Sequence, residues 1–234
     1  SLEAGSLVLE GDTALGTGAL TTGAGTAVTL ADGMTLANAI TLDGDTTFGT
    51  EVLPFGAFGA ATISGTISGT GALVRTDRSD LTLTGANTYS GGTTLRGLTT
   101  ITNGSALGTG TITAAGGVLT IGADGIVLAN DIGLQSGLNL SNTGKTVTLS
   151  GNISGSGNLG LTGTGTYILT GANTYTGGTL LVSSTARLAN NAAFGTGDVS
   201  LGSDTTIDYA DGVSIANRIE TNNRFTLNQT GGVA

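Results

Sequence analysis

The sequence predicts an all-β chain wound as a parallel β-helix, a β-solenoid of about 10–12 coils with three short strands per coil. Three observations predict it. Gly occurs 43 times and Pro once in 234 residues, and Gly in a helix interior is about 1 kcal/mol less favourable than Ala, so long helices are not expected. Thr, Val, Ile and Leu alternate in short runs, SLVLE (6–10), AVTL (27–30), LTLT (81–84), TVTLS (146–150) and YILT (167–170), each bounded by Gly, Asn or Asp. A period of two between turn residues reads as strands. Lastly, GANTYSGGTTL (85–95) returns 86 residues later as GANTYTGGTLL (171–181). Reacting groups need no second copy, so the duplication points to architecture.

The repeat extends through the chain. ALGTG stands at 14–18 and 106–110, and AFGTG at 193–197. DGMTLANAITL (32–42), DGIVLANDIGL (124–134) and DGVSIANRIET (211–221) keep Asn38, Asn130 and Asn217 in register. ATISGTISGTGAL (61–73) matches VTLSGNISGSGNL (147–159), and GLNLSNTGKTV (137–147) matches RFTLNQTGGVA (224–234). The expected organisation is one β-helix over 1–234, a fragment of a longer protein, with internal units at approximately 14–105 and 106–192 and a partial third at 193–234. Strand runs come at roughly three per 20 to 22 residues, so each unit holds about four coils. Stacking lets each coil cover the apolar row of its neighbour, which no coil achieves alone. Gly and Asn at the corners permit the tight bends, and Asn87 and Asn173 read as corner residues that satisfy backbone groups.

One stretch breaks the register. Between Leu42 and Ala61 the first copy carries six residues more than the second, and the excess includes VLPFGAF (52–58) with the single proline, Pro54. Pro cannot donate to a sheet ladder, so this segment is expected to leave the coil. Phe55 and Phe58 either mark a contact surface there or fold back to cap a corner.

Charge and composition exclude several functions. Sixteen Asp and Glu against seven Lys and Arg give −9, and nucleic acid, which needs clustered cations, is not an expected partner. The chain has no Cys and no His, so disulfides, Ser-His-Asp or Cys-His catalysis and His-ligated metals cannot be built from it. GSGNLG (155–160) fits a dinucleotide-loop pattern but continues as strands rather than a helix, and TGKT (143–146) lacks the upstream Gly of a phosphate loop. No GGxGxD series of a calcium-binding β-roll occurs, and Asp43, Asp45, Asp204, Asp208 and Asp211 read as solvated corners rather than ligands of a stray divalent ion. No cofactor and no metal is expected. No apolar run reaches the roughly 18 residues of a membrane-crossing helix. The densest charged group is RTDRSD (75–80), with Arg75, Asp77, Arg78 and Asp80. It reads as a salt-linked exposed corner usable in recognition. The competing reading, paired carboxylates acting on a polysaccharide, meets only nine aromatic residues in the whole chain, and the second copy has neither carboxylate. Catalysis is not expected.

The stretches GTGALVRTDRSDLTLTGANTYSGGTTLRGLTTI (69–101) and GSGNLGLTGTGTYILTGANTYTGGTLLVSSTARL (155–188) resemble the passenger-associated transport repeat of bacterial autotransporters. RTDRSD departs from the Gly-rich turn of that pattern. The resemblance implies a right-handed β-helix displayed on a Gram-negative surface, anchored through an outer-membrane barrel that is not in this chain, with repeats that assist secretion. It implies an adhesin or adhesin stalk whose partner is a host cell-surface or extracellular-matrix component or another copy of the chain. The alternatives are an inert spacer for an enzyme located elsewhere in the protein, or a polysaccharide-acting β-helix.

Overall fold

A computed structural model describes residues 1–54 and 57–231. Among them every regular element is a strand, and parallel strands stack as a β-solenoid of about eleven turns in all. The chain divides into two compact units, 1–113 and 114–234.

In the first unit, three columns of strands form because period-two runs put every second side chain inward. Thr26–Leu30 pairs in parallel with Ser6–Leu9 and Thr46–Thr50, setting Val28 on Phe48. Leu20–Thr22, Ile40–Leu42 and Ile67–Gly69 stack Leu20, Ile40 and Ile67. Ala60–Ile63, Asp80–Leu83 and Leu98–Ile101 stack Ile63, Leu83 and Ile101. These inward residues are buried while their neighbours remain partly exposed. Each full burial of such a side chain contributes roughly 1.5–3 kcal/mol, and the ladder repeats it at every level.

The second unit follows the same rule. Leu138–Ser141, Leu159–Thr162, Thr179–Val182, Val199–Leu201 and Ile219–Thr221 pair in that order, stacking Leu140, Leu161, Leu181 and Leu201. A second column runs through Ile126–Leu128, Thr146–Leu149, Thr166–Leu169, Thr185–Leu188, Thr205–Tyr209 and Phe225–Asn228.

The duplicated GANTY segment is a coil fastener. Asn87 is buried; its Oδ1 accepts from Ile67 N at 2.8 Å and its Nδ2 donates to Ala106 O at 2.6 Å, tying together the coils on either side. Asn173 makes the same pair, to Ile153 N at 2.8 Å and Ala193 O at 2.6 Å. Tyr89 is buried with its hydroxyl 2.6 Å from Thr93 Oγ1, and Tyr175 meets Thr179 in the same way. Burial pushes both phenols up, Tyr175 to about 12. The first Gly of each GG is forced by close approach: a Cβ on Gly91 would sit 2.4 Å from Gly71 C, and one on Gly177 2.2 Å from Gly157 O.

Candidate functional site

The two groups singled out in the sequence lie at one corner of the first unit, on successive coils. One coil leaves the strand Thr46–Thr50 and rejoins at Ala60–Ile63, so residues 51–59 span the corner. The next leaves Leu73–Val74 and rejoins at Asp80–Leu83, so RTDRSD spans it one level on. The following coil leaves Thr93–Leu95 and rejoins at Leu98–Ile101 through Arg96 and Gly97. Register fixes the stack, with Val74 on Thr94 and Asp80 on Leu98.

At the first level the two described flanks of the excursion, 52–54 and 57–58, pair with each other as the arms of a hairpin. Val52 bridges Phe58 in antiparallel fashion and Leu53 N donates to Ala57 O at 2.8 Å, so the segment leaves the coil as its single proline predicts. Val52 is 67% and Phe58 45% exposed, so Phe58 does not cap the corner from inside. Phe55 lies outside the described residues. The hairpin base is tied to its neighbours: Thr50 Oγ1 donates to Gly59 O at 2.8 Å, and Asp80 N donates to the same oxygen at 3.2 Å.

At the second level the expectation of an exposed ion-paired corner holds only in part. Arg75 is fully buried, because alternation from the inward Leu73 turns it into the coil. Its Nη2 donates to Ser79 O at 2.6 Å, to Ser79 Oγ at 3.0 Å and to Asp77 Oδ1 at 3.0 Å. Ser79 Oγ donates onward to Asp77 Oδ1 at 2.8 Å, and Thr50 N reaches Asp77 Oδ2 at 3.3 Å. Two glycines make the room: a Cβ on Gly49 would lie 2.3 Å from Asp77 Oδ2, and one on Gly97 2.1 Å from Asp77 O. Burial lowers the pKa of Arg75, and the charges of Asp77 and Asp80 pull it back. Arg75 Nε and Nη1 and the buried Thr99 Oγ1 have no partner among the described residues.

Arg75, Asp77 and Ser79 therefore hold the corner together. Both oxygens of Asp77 accept hydrogen bonds within the corner. What faces outward is a different set: Val52 and Phe58 from the hairpin, Arg78 beneath them, Arg96 one coil further, and Leu98, 41% exposed. Arg75, Arg78 and Arg96 are the only cations of the first unit, and neither Arg78 nor Arg96 has an ion-pair partner among the described residues. Arg96 and Leu98 were not singled out by sequence reasoning. Their signal was register: at a spacing of about one coil they had to fall on the RTDRSD corner.

Of the aspartates read as solvated corners, Asp45 serves the backbone, and Asp208 is instead buried against side chains. Asp45 Oδ1 accepts from Ala72 N at 3.0 Å, and Asp208 accepts from Arg187 Nε at 3.0 Å and Thr230 Oγ1 at 2.7 Å. Burial alone would raise the pKa of Asp208; the bonds from Thr230 and Arg187 outweigh it and hold the carboxyl below the usual range. Among the described residues no group of three or more Asp or Glu is arranged to hold a metal ion, and no helix is long and apolar enough to cross a membrane.

No protein-family model, no curated protein and no solved structure matches the chain.

Proposed function

We propose that the chain is a stretch of a bacterial autotransporter passenger, a surface-displayed solenoid acting as an adhesin or adhesin stalk, and that the Val52–Phe58 hairpin and the RTDRSD corner form its contact edge. The observation that carries the contact edge is the convergence of exposed Phe58 and Val52 with unpaired Arg78 and Arg96 on successive coils. Exposed apolar groups beside free cations, in a chain of net charge −9, suit a protein partner with acidic groups around an apolar residue. Such a partner is a host cell-surface or matrix component, or the acidic surface of another copy.

The GANTY fasteners support the secretion half of the reading. Chain emerging from a pore can order coil by coil on its predecessor, and a buried Tyr-Thr clasp with a two-coil Asn bridge fixes each such level. Replacing Tyr89 and Tyr175 by Gly together is expected to slow surface appearance of the full-length protein; undiminished export removes the repeat from the secretion pathway. For the contact edge, the purified chain is expected to bind cultured cells, matrix protein or itself saturably, and Phe58→Ser with Arg78→Ser to weaken that binding about tenfold. Binding unaffected by the double variant places the contact elsewhere, and no binding at all leaves the solenoid a spacer.

A further inference from the structure

We propose that the outer face of the second unit carries a binding groove for a neutral saccharide. Strand register sets Asn139 on Gly160 and Gly160 on Leu180. The outward row thus reads Asn139, Gly160, Leu180, and the side chain missing at Gly160 helps open a groove of about 470 Å³ between its neighbours. In the repeat, Gly160 takes the place of Val74. The corresponding row of the first unit, Thr47, Val74 and Thr94, has a side chain at every level.

The lining selects the ligand. It contains no charged residue, although the chain as a whole is acidic, so it offers nothing to an ion. Asn139 Oδ1 accepts from Thr162 Oγ1 at 2.9 Å, and Asn158 Oδ1 accepts from Gly178 N at 3.1 Å. Those bonds orient both amides and leave both Nδ2 groups as donors without a partner among the described residues. Ser136 adds a hydroxyl that donates or accepts. Leu180, 45% exposed, and the glycine floor supply an apolar surface against which the C–H face of a pyranose ring rests. Strands recur every 4.7–4.9 Å or so, close to the length of one hexose, so successive sugars meet successive coils. An extended peptide fits less well. The sheet's backbone groups are already paired with each other, and a peptide laid on this face would leave most of its own unanswered. A sugar keeps its outward hydroxyls in water.

The groove is separate from the corner of the first unit, so either assignment can fail alone. The test uses the full chain labelled for NMR, with cellohexaose, maltohexaose and chitohexaose as neutral probes, an oligogalacturonate as the acidic control and an uncharged decapeptide as the peptide control. Saturable shifts of the Asn139 and Asn158 side-chain amides with at least one neutral probe are expected. Gly160→Val is expected to weaken binding at least about tenfold with the rest of the spectrum unchanged, because the one close approach of the new Cβ is to Asn139 Oδ1, at 3.2 Å, and a shift of a few tenths of an ångström in that side chain relieves it. Asn139→Asp, which keeps the acceptor and removes the donor, is expected to weaken it similarly, and it decides the matter if Gly160→Val perturbs the fold. Absence of any neutral-probe shift, binding of the acidic sugar or the peptide instead, or full affinity in Asn139→Asp overturns the proposal.

Discussion

The corner Arg75–Asp80 and its counterpart Leu161–Thr166 stand at the same place in the repeat and are filled by opposite chemistry. In the second unit Leu161 packs inward and the bend is made by Gly163 and Gly165 around the buried Asn142, whose Nδ2 donates to Lys145 O at 2.8 Å and Thr166 O at 3.2 Å. Tyr167 Oη lies 2.7 Å from both Leu140 O and Thr162 O, sharing its one proton. In the first unit a guanidinium occupies the inward place of Leu161, and Asp77 and Ser79 replace the two glycines to hold it. The comparison teaches that the coil tolerates an ion inside when counter-charge, hydroxyl and space arrive together. Each corner keeps buried polar atoms without a partner among the described residues, Arg75 Nε and Nη1 in the first and Asn142 Oδ1 in the second, and buried ion pairs rarely surpass apolar packing of the same volume.

The largest expected effect breaks the ionic corner alone. Asp77→Ala strands a buried cation, at a cost of about 3–5 kcal/mol; urea denaturation reads it, and an unmoved midpoint means water reaches Arg75 unaided. Next comes the part the two units share. Asn87→Ala and Asn173→Ala each orphan one buried N–H and one buried carbonyl, so each is expected to lose about 2 kcal/mol or more, and clearly unequal losses would show that the fasteners are not equivalent. The tyrosines sharpen the same point through pH. Burial raises the folded-state pKa of Tyr89, Tyr167 and Tyr175, whereas unfolded Tyr titrates near about 10. Their contribution is intact below pH of about 10 and falls away as pH climbs from there towards the folded values. Tyrosinate absorbance from these residues should therefore rise with loss of the β-sheet circular dichroism signal and not before it. Tyr89→Phe and Tyr175→Phe should each cost about 1 kcal/mol. Smallest of all is the transplant Arg75→Leu, Asp77→Gly, Ser79→Gly, which gives the first corner the residues of the second and is expected to change stability by no more than about 1 kcal/mol.

Architecture was readable from sequence because a solenoid writes its geometry locally. Alternation in LTLT or TVTLS sets the inward face, and the duplicated corners set the level spacing. The role of Asn87 and Asn173 was readable too, since an amide flanked by glycines at a bend has backbone groups within reach. Arg75 was misplaced by trusting charge over period: Leu73, Val74, Arg75 alternate, and the inward Leu161 eighty-six positions later marked the same slot. The outward row through Gly160 escaped notice because it joins residues about twenty apart that look unrelated along the chain. Only strand register brings Asn139, Gly160 and Leu180 side by side.

Five aspartates at the bends point one way along the chain, opposite to Asp77, Asn87 and Asn173, which accept from earlier windings. Asp12 receives Thr35 N, Asp32 receives Ala60 N, Asp45 receives Ala72 N, Asp124 receives Thr146 N and Asp131 receives Asn152 N. In each case the acceptor belongs to the earlier winding and the donor to the later one. A newly laid winding thus meets hooks already set by the one before it. Assembly and unravelling differ in consequence: growth from the amino end finds its docking points prepared, and pulling on the carboxyl end releases them one rung at a time.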